Sequence, residues 1–151
     1  MPKLALDAFL PYQLVAVADH VSRIISCIYA EQFNLTRPEW RILASLEALG
    51  GASATEICAH SAQDKMTVSR AVSGLETKGL LQRHSHPRDR RNKRLELTPA
   101  GHDLYQQIVP LILAREAALL RTFSADEQKM LMHLLGRLQD QAHALTQGPT
   151  L

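Results

Sequence analysis

Residues 64–101 read DKMTVSRAVSGLETKGLLQRHSHPRDRRNKRLELTPAG, and the spacing of their hydrophobic residues changes at Gly79. Before Gly79, apolar side chains recur every three to four residues, which predicts an amphipathic helix that begins near Asp64. After Gly79, apolar and polar residues alternate in LLQRH and KRLELT, which predicts two short strands around a charged loop. The segment is therefore expected to form one helix followed by a β-hairpin.

Two capping boxes mark helix starts upstream of this segment, at residues 36–39 (TRPE) and 53–56 (SATE). In each box the hydroxyl can accept from the backbone of the Glu three residues later, while that Glu reaches back. The first box begins the helix WRILASLEAL, which stops at Gly50-Gly51, and the second begins the short helix EICAH. The turn SAQ then leads to the helix near Asp64. This order predicts a winged helix-turn-helix over residues 36–98.

The outer parts of the chain carry long apolar seams at helical spacing. The first seam consists of Leu10, Leu14, Val17, Val21, Ile24 and Ile28. After the hairpin, Thr98-Pro99 begins a helix to about residue 122, which Pro110 is expected to kink. A third box, SADE at 124–127, begins the last helix, whose seam consists of Leu131, Leu135, Leu138, Ala142 and Leu145. Such strict seams pack on other helices, and a two-fold dimer would bury them.

The predicted fold class is mainly α with a small β-hairpin. Residues 1–151 are expected to form a single domain, because this length suffices for one core. Within it, residues 36–98 form the winged helix-turn-helix, and residues 10–33 and 99–146 form dimerisation helices that lead to a homodimer.

Charge is distributed unevenly, although the formal net charge is only +2. Residues 63–94 contain nine Lys or Arg against three Asp or Glu, whereas the other residues contain eight against twelve. A basic block inside an acidic frame indicates a localised site for a polyanion such as DNA.

The composition also bears on the compartment. No apolar run approaches the ~20 residues of a membrane span. The stretch LVAVA is short and lies between Asp7 and Asp19, so no signal peptide and no membrane partner are expected. Cys27 and Cys58 are far apart and form no CxxC motif. We expect a cytoplasmic protein with free thiols.

The helix near Asp64 has two chemically different faces at 100° per residue. Its predicted inner face consists of Val68, Ala71, Val72 and Leu75, and its outer positions and flanks are Lys65, Met66, Thr67, Ser69, Arg70 and Ser73. Arg can donate two hydrogen bonds to guanine, and hydroxyls reach bases or phosphates. The alternative is an ordinary solvated face. However, this face carries no acidic residue between Lys65 and Leu75, and the helix follows a short helix and a turn, so DNA recognition is favoured.

The hairpin tip, HPRDRRNKR, concentrates five cations around the single acid Asp89. Arg side chains are attracted to a narrow minor groove, where the potential is most negative. The predicted DNA contacts of the tip are Arg88, Arg90, Arg91 and Lys93. Asp89 is expected to pair with a neighbouring Arg and stiffen the tip. The alternative is a solvated turn without a binding function.

Nearly the whole chain resembles the MarR family of bacterial transcription regulators. The resemblance includes LTRPEWRIL, DKMTVSRAVSGLETKGLLQR and DRRNKRLELTPAG, in which Asp89, Arg91, Leu97, Thr98 and Gly101 match the family's wing and its exit into a dimer helix. It implies a homodimer that places recognition helices in major grooves and wings in minor grooves. Thr67 and Arg70 would then contact the operator, with Arg91 at the wing tip. His86 departs from the pattern, since an Asp often precedes this Pro.

The beginning of the chain is similar to the branch of this family that senses small aromatic acids such as hydroxycinnamates. The family's effector pocket lies between the dimer helices and the winged part. Here the resemblance implies a ligand site that draws on His20, Arg23, Cys27, Trp40 and Arg41. The fork of Arg23 suits a planar carboxylate, and a surface salt bridge is the alternative role for it.

Three other functions are conceivable for these residues: thiol-based sensing, metal-dependent catalysis and protein binding. Cys27 would serve a thiol-based oxidation sensor on the same scaffold, although its apolar neighbours favour a buried, inert thiol, as they do for Cys58. Seven His residues without HExxH or CxxC do not indicate a metal site, and no catalytic motif is present. Neither cofactor nor enzyme activity is expected. The predicted function is that of a homodimeric repressor that binds a pseudo-palindromic duplex and is released by a ligand. A winged-helix module that binds protein is the remaining alternative.

Overall fold

The computed structural model describes residues 4–86 and 89–147, except for the side chains of residues 85, 86 and 89–92. In chain order the helices and strands are α1 (Leu10–Cys27), α2 (Arg37–Leu49), β1 (Ala52–Ser53), α3 (Ala54–Ser61), α4 (Lys65–Thr77), β2 (Leu81–His86), β3 (Asp89–Leu97), α5 (Pro99–Leu120) and α6 (Ala125–Gln147). A π-helical turn, Ile28–Gln32, continues α1. Contacts divide the chain into two compact units, Met1–Leu113 and Ala114–Leu151. None of the described helices has the length and apolarity to span a membrane.

The three predicted capping boxes are confirmed. The backbone N–H of Thr36 donates to Glu39 Oε2 at 2.7 Å, and the N–H of Glu39 donates to Thr36 Oγ1 at 3.3 Å. The same reciprocal pair joins Ser53 to Glu56 and Ser124 to Glu127, with distances between 2.7 and 3.3 Å. Each box provides hydrogen-bond acceptors for backbone N–H groups that have no partner within the first turn of the helix. Because these contacts are local, the helix starts were predictable from the sequence.

The hairpin is confirmed as part of a larger sheet than the sequence predicted. The sheet has three antiparallel strands in the order β1-β3-β2, and both hairpin strands extend into the segment predicted as a charged loop. Strand β1 was not predicted, because it has two residues and forms only through pairing of Ala52 with Leu95 and of Ser53 with Arg94. Leu95 and Leu97 face the core as expected.

Helices α2, α3 and α4 and the sheet enclose the hydrophobic core, which confirms the winged helix-turn-helix. The predicted inner face of α4 is confirmed, since Val68, Ala71, Val72 and Leu75 are each at most 5 % exposed. They pack with Ile42, Leu43, Leu46, Ile57, Leu81 and Ile108. Burial of this surface is the main force that holds the three helices together.

A buried carboxylate joins α2 to α4. Glu39 is 4 % exposed and lies 2.7 Å from the Nζ atom of Lys78, which also donates to the carbonyl of Asn34. Burial raises the pKa of Glu39, but the hydrogen bonds from Lys78 and Thr36 outweigh it and hold the pKa below its ordinary value. The carboxylate therefore stays charged at neutral pH and is paired, as a buried charge must be.

Gly74 allows α4 to lie close to this carboxylate. A Cβ atom at position 74 would overlap the Oε1 atom of Glu39. Gly101 has a similar role at the start of α5, where a Cβ atom would overlap the carbonyl oxygen of Leu80. Thr98 caps this helix through a 3.1 Å bond from the N–H of Gly101, and its own hydroxyl donates to Gly79.

The predicted terminal seams are largely uncovered within the single chain. In the first seam only Ile28 is buried, whereas Leu10 and Val17 are 54 % and 57 % exposed. Helix α6 has no buried residue, and Leu135 and Leu145 of its seam are exposed. The expectation that a two-fold dimer buries these seams stays a prediction.

We expect Gly74→Ala to lower the free energy of unfolding by about 1–3 kcal/mol, because the added methyl group must displace the Glu39 carboxylate. Gly136→Ala in α6 is the matched control, since nothing lies within 4 Å of a Cβ at that position. The control should be neutral or stabilising by up to ~1 kcal/mol. Urea denaturation at one protein concentration measures both, and equal stability of the two variants would contradict the close packing.

The Glu39–Lys78 pair should also make stability depend on pH. The pKa of Glu39 in the folded protein lies below its ordinary value of 4.5. The pair therefore contributes to the free energy of unfolding above pH 4.5, and this contribution is lost as the pH falls through the pKa of the folded state. Glu39→Gln should cost about 1.5–3 kcal/mol at pH 6, and its deficit relative to wild type should shrink toward pH 3. The exposed Glu116→Gln is the control, and a Glu39→Gln deficit that is constant across this range would be inconsistent with the pair.

Candidate DNA-binding interface

Helix α4 begins with a side-chain cap that occupies one of the predicted DNA contacts. Asp64 Oδ1 accepts from the backbone N–H of Thr67 at 2.9 Å, and Asp64 Oδ2 accepts from its hydroxyl at 2.6 Å. The hydrogen bonds from the Thr67 side chain and backbone lower the pKa of Asp64. Thr67 is half-buried. Its hydroxyl proton is therefore committed to the cap, which the sequence pattern did not indicate.

The other five predicted contacts of α4 are exposed, namely Lys65, Met66, Ser69, Arg70 and Ser73. The Ser73 hydroxyl donates to the carbonyl of Ser69 at 3.1 Å. Within the described part of the chain, Lys65 and Arg70 form no hydrogen bond or ion pair through their side chains. Both cations can thus approach an anion without breaking a contact to the described residues.

The single acid of α4 is neutralised by the hairpin. Arg83 of β2 donates from Nε and Nη2 to the two carboxylate oxygens of Glu76, each at 2.8 Å. This hydrogen bonding is the largest cause that lowers the pKa of Glu76 and raises that of Arg83. The two-point geometry also holds β2 against the end of α4. This pair was not predictable from the sequence, because residues 76 and 83 belong to different elements.

The base of the hairpin is anchored to α2. Arg94 Nη2 donates to the carbonyl of Gly50 at 2.9 Å, and its Nε donates to Glu96 at 3.0 Å. His84 Nε2 lies 3.3 Å from the same carboxylate. Arg94 therefore has a structural role, although both it and its neighbour Lys93 are exposed.

Most of the predicted wing-tip contacts lie outside the described residues. Arg88 is not described at all, and for Asp89, Arg90 and Arg91 only the backbone, as part of β3, is described. The same holds for the His86 side chain. The DNA-binding role of these side chains and the bracing role of Asp89 stay predictions.

A cleft of about 410 Å³ separates α4 from the hairpin and α3. Its apolar floor includes Val68, Val72 and Leu95, and Lys65 and Lys93 border it from opposite elements. Two ammonium groups on one cleft create a positive potential that attracts phosphate.

A second pocket, of about 340 Å³, lies between α1 and α2. It is lined by Ala18, Val21, Ser22, Ile25, Tyr29, Arg37, Trp40 and Arg41. Trp40 stacks between Tyr29 and Tyr105, with ring centroids 5.9 Å apart and planes at 14° in both pairs. Burial raises the pKa of Tyr29, while the charges of Arg37 and Arg41 act in the opposite direction. The pocket therefore joins aromatic surface to two guanidinium groups.

Two of the five predicted ligand contacts, Trp40 and Arg41, border this pocket, and the other three do not. Arg23 lies 3.7 Å from Asp19 in an exposed ion pair, which is the alternative considered for it. The ring of His20 bonds to the carbonyl of Ala16. Cys27 is exposed, so the expectation of a buried thiol was wrong for the single chain, whose α1 face is uncovered. Cys58 is half-buried in the floor of the first cleft.

Sequence analysis missed Arg37 and Tyr29 as pocket residues. Arg37 is four residues before Arg41, which places both guanidinium groups on one face of α2 and was a usable signal. Tyr29 carried no such signal, because its orientation depends on the π-helical turn. Among the described residues, no group of three His, Cys, Asp or Glu side chains is placed to hold a metal ion.

Comparisons with known proteins agree with this geometry. A model of the MarR family matches residues 33–92. The HTH-type transcriptional regulator YxaD of Bacillus subtilis (strain 168) is 31 % identical over 105 residues, which cover 70 % of this chain and 73 % of YxaD. A MarR/EmrR family transcriptional regulator from Acinetobacter sp. ADP1 has a TM-score of 0.84 at 28 % identity, over 93 % of this chain and 99 % of that one.

A further solved structure shares the fold at lower identity. BpsR of Bordetella bronchiseptica, whose DNA binding is regulated by 6-hydroxynicotinic acid, has a TM-score of 0.82 at 22 % identity, over 93 % of this chain and 99 % of its own. The winged helix-turn-helix, the exposed cations of α4 and the similarity to YxaD and the Acinetobacter regulator lead to one assignment. The chain belongs to the MarR family and is a DNA-binding transcriptional regulator.

Proposed function

We propose that the protein is a homodimeric repressor that binds a pseudo-palindromic duplex and is released by a small aromatic carboxylate. The observation that carries the proposal is the outer face of α4. Lys65 and Arg70 are unpaired there within the described part of the chain, whereas the acid Glu76 is neutralised by Arg83. A helix face with available cations and no free carboxylate is suited to the major groove.

The uncovered seams of α1 and α6 support a dimer. Both helices expose large apolar side chains along their length, and a second copy of the chain would remove them from water. Two-fold symmetry then places two recognition helices on one face of the duplex, about 34 Å apart. In this arrangement the hairpins, with Arg88, Arg90, Arg91 and Lys93, contact the minor groove, and the cleft between Lys65 and Lys93 lies over a phosphate strand.

We expect duplex binding to weaken steeply with salt, since about six phosphate contacts release as many counterions. Arg70→Ala should cost roughly 1–3 kcal/mol and relax the base preference, because a bidentate contact to guanine is lost. Arg121→Ala, which removes one cation from outside α4 and the hairpin, is the control. Fluorescence anisotropy with duplexes selected from a random library measures both effects. Absence of salt-dependent binding to duplex would favour the protein-interaction module instead.

The pocket between α1 and α2 supports the ligand half of the proposal. A planar acid can pack against Val21, Ile25 and the edge of Trp40 while its carboxylate accepts from Arg37 or Arg41. BpsR, which shares the fold, responds to 6-hydroxynicotinic acid. A ligand in contact with both α1 and α2 would favour one spacing between the two recognition helices of the dimer. If that spacing does not match the two half-sites, the protein releases DNA.

Trp40 is the single tryptophan of the protein, so its fluorescence reports on this pocket directly. Titration with 4-hydroxycinnamate should change the emission in a saturable manner. Arg41→Gln should weaken that binding by roughly 1.5–3 kcal/mol, the cost of a lost hydrogen bond to a charged group. Arg23→Gln is the matched control and should bind as wild type, because Arg23 pairs with Asp19 outside the pocket. If Arg23→Gln weakens binding and Arg41→Gln does not, Arg23 is the partner of the ligand carboxylate.

A further inference from the structure

We propose that Met66 is the side chain with which the recognition helix identifies thymine, through contact with the C5-methyl group in the major groove. The inference rests on the proposed binding of duplex DNA and adds its apolar specificity determinant. Arg70 alone would supply recognition of guanine, and hydroxyl groups accept and donate without strong preference.

Met66 is unusually exposed for its place in the fold. Within the described part of residues 36–98, the exposed large hydrophobic side chains are Met66, at 63 %, and Leu49, at 41 %. The remaining apolar side chains of α4 face the core. Isolated exposed hydrophobic residues are common on protein surfaces, so the position of Met66 in the helix carries the argument.

Met66 is the second residue of α4, in the turn whose side chains contact base edges when such a helix enters the major groove. In that first turn the Thr67 hydroxyl is bonded to Asp64, and Lys65 carries a charge that is drawn to phosphate. Met66 is therefore the outward side chain that is both uncharged and unbonded. It is flexible and apolar, and such a side chain packs well against an irregular surface.

The chemistry of the groove leaves one apolar partner. Among the groups that base pairs present in the major groove, the thymine C5-methyl is the only apolar group larger than a C–H. Arg70 follows Met66 by four residues and lies on the same face of α4. The two side chains would thus contact neighbouring base pairs, Met66 at a thymine and Arg70 at a guanine.

Uracil replacement tests the contact, because uracil pairs as thymine does and lacks only the methyl group. Duplexes that bind the full-length protein are first selected from a random library, and each thymine is then replaced singly by uracil. We expect one thymine in each half-site at which uracil weakens binding about fourfold, which corresponds to one methyl group returned to water. Met66→Ala should bind the thymine duplex correspondingly less tightly and show no difference between thymine and uracil.

Arg70→Ala is the control within the same helix, and it should weaken binding while it keeps the thymine-to-uracil ratio of wild type. Circular dichroism establishes that each variant is folded. If no uracil replacement changes the affinity of wild type, or if Met66→Ala retains the difference, the inference is overturned while DNA binding stands. If the protein selects no duplex, the proposed function itself fails, and the role of Met66 falls with it.

Discussion

The paired carboxylate of Glu39 is the contact on which the geometry of the DNA-binding face depends. It caps α2 through Thr36, accepts from Lys78 just after α4, and packs where Gly74 has no side chain. A buried charge that lost Lys78 would be strongly destabilising, so the pair restricts α4 to one position against α2. The remaining core supplies more stabilisation, but apolar packing tolerates small shifts that this contact does not.

One further ion pair and one hydrogen bond to a backbone carbonyl extend the same frame to the hairpin. Glu76 holds Arg83 of β2, and Arg94 of β3 reaches the carbonyl of Gly50 at the end of α2. Helix α2 also carries Trp40 and Arg41, which line the pocket proposed for the effector. One helix thus contacts α4, the hairpin and this pocket.

Local chemistry made much of the fold predictable. The three capping boxes fixed helix starts, and the change of period at Gly79 located the hairpin. The outer face of α4 followed from 100° per residue alone. Strand β1 and the Glu76–Arg83 pair were not predictable, because they depend on residues that are distant in sequence. Of the five residues expected at a ligand site, Trp40 and Arg41 border the pocket between α1 and α2, and the three expected from α1 do not. Their role in ligand binding stays a prediction.

The sequence by itself determined the order of helices and strands and the chemical character of each face, since both follow from contacts within a few residues. It also determined that positive charge is concentrated at α4 and the hairpin. Only the tertiary structure decided which charges are available. Arg83, Arg94 and Lys78 are bound to partners on other elements, while Lys65 and Arg70 are unpaired within the described residues. Periodicity identifies the face of a helix, whereas the partner of a side chain depends on which element packs against that face.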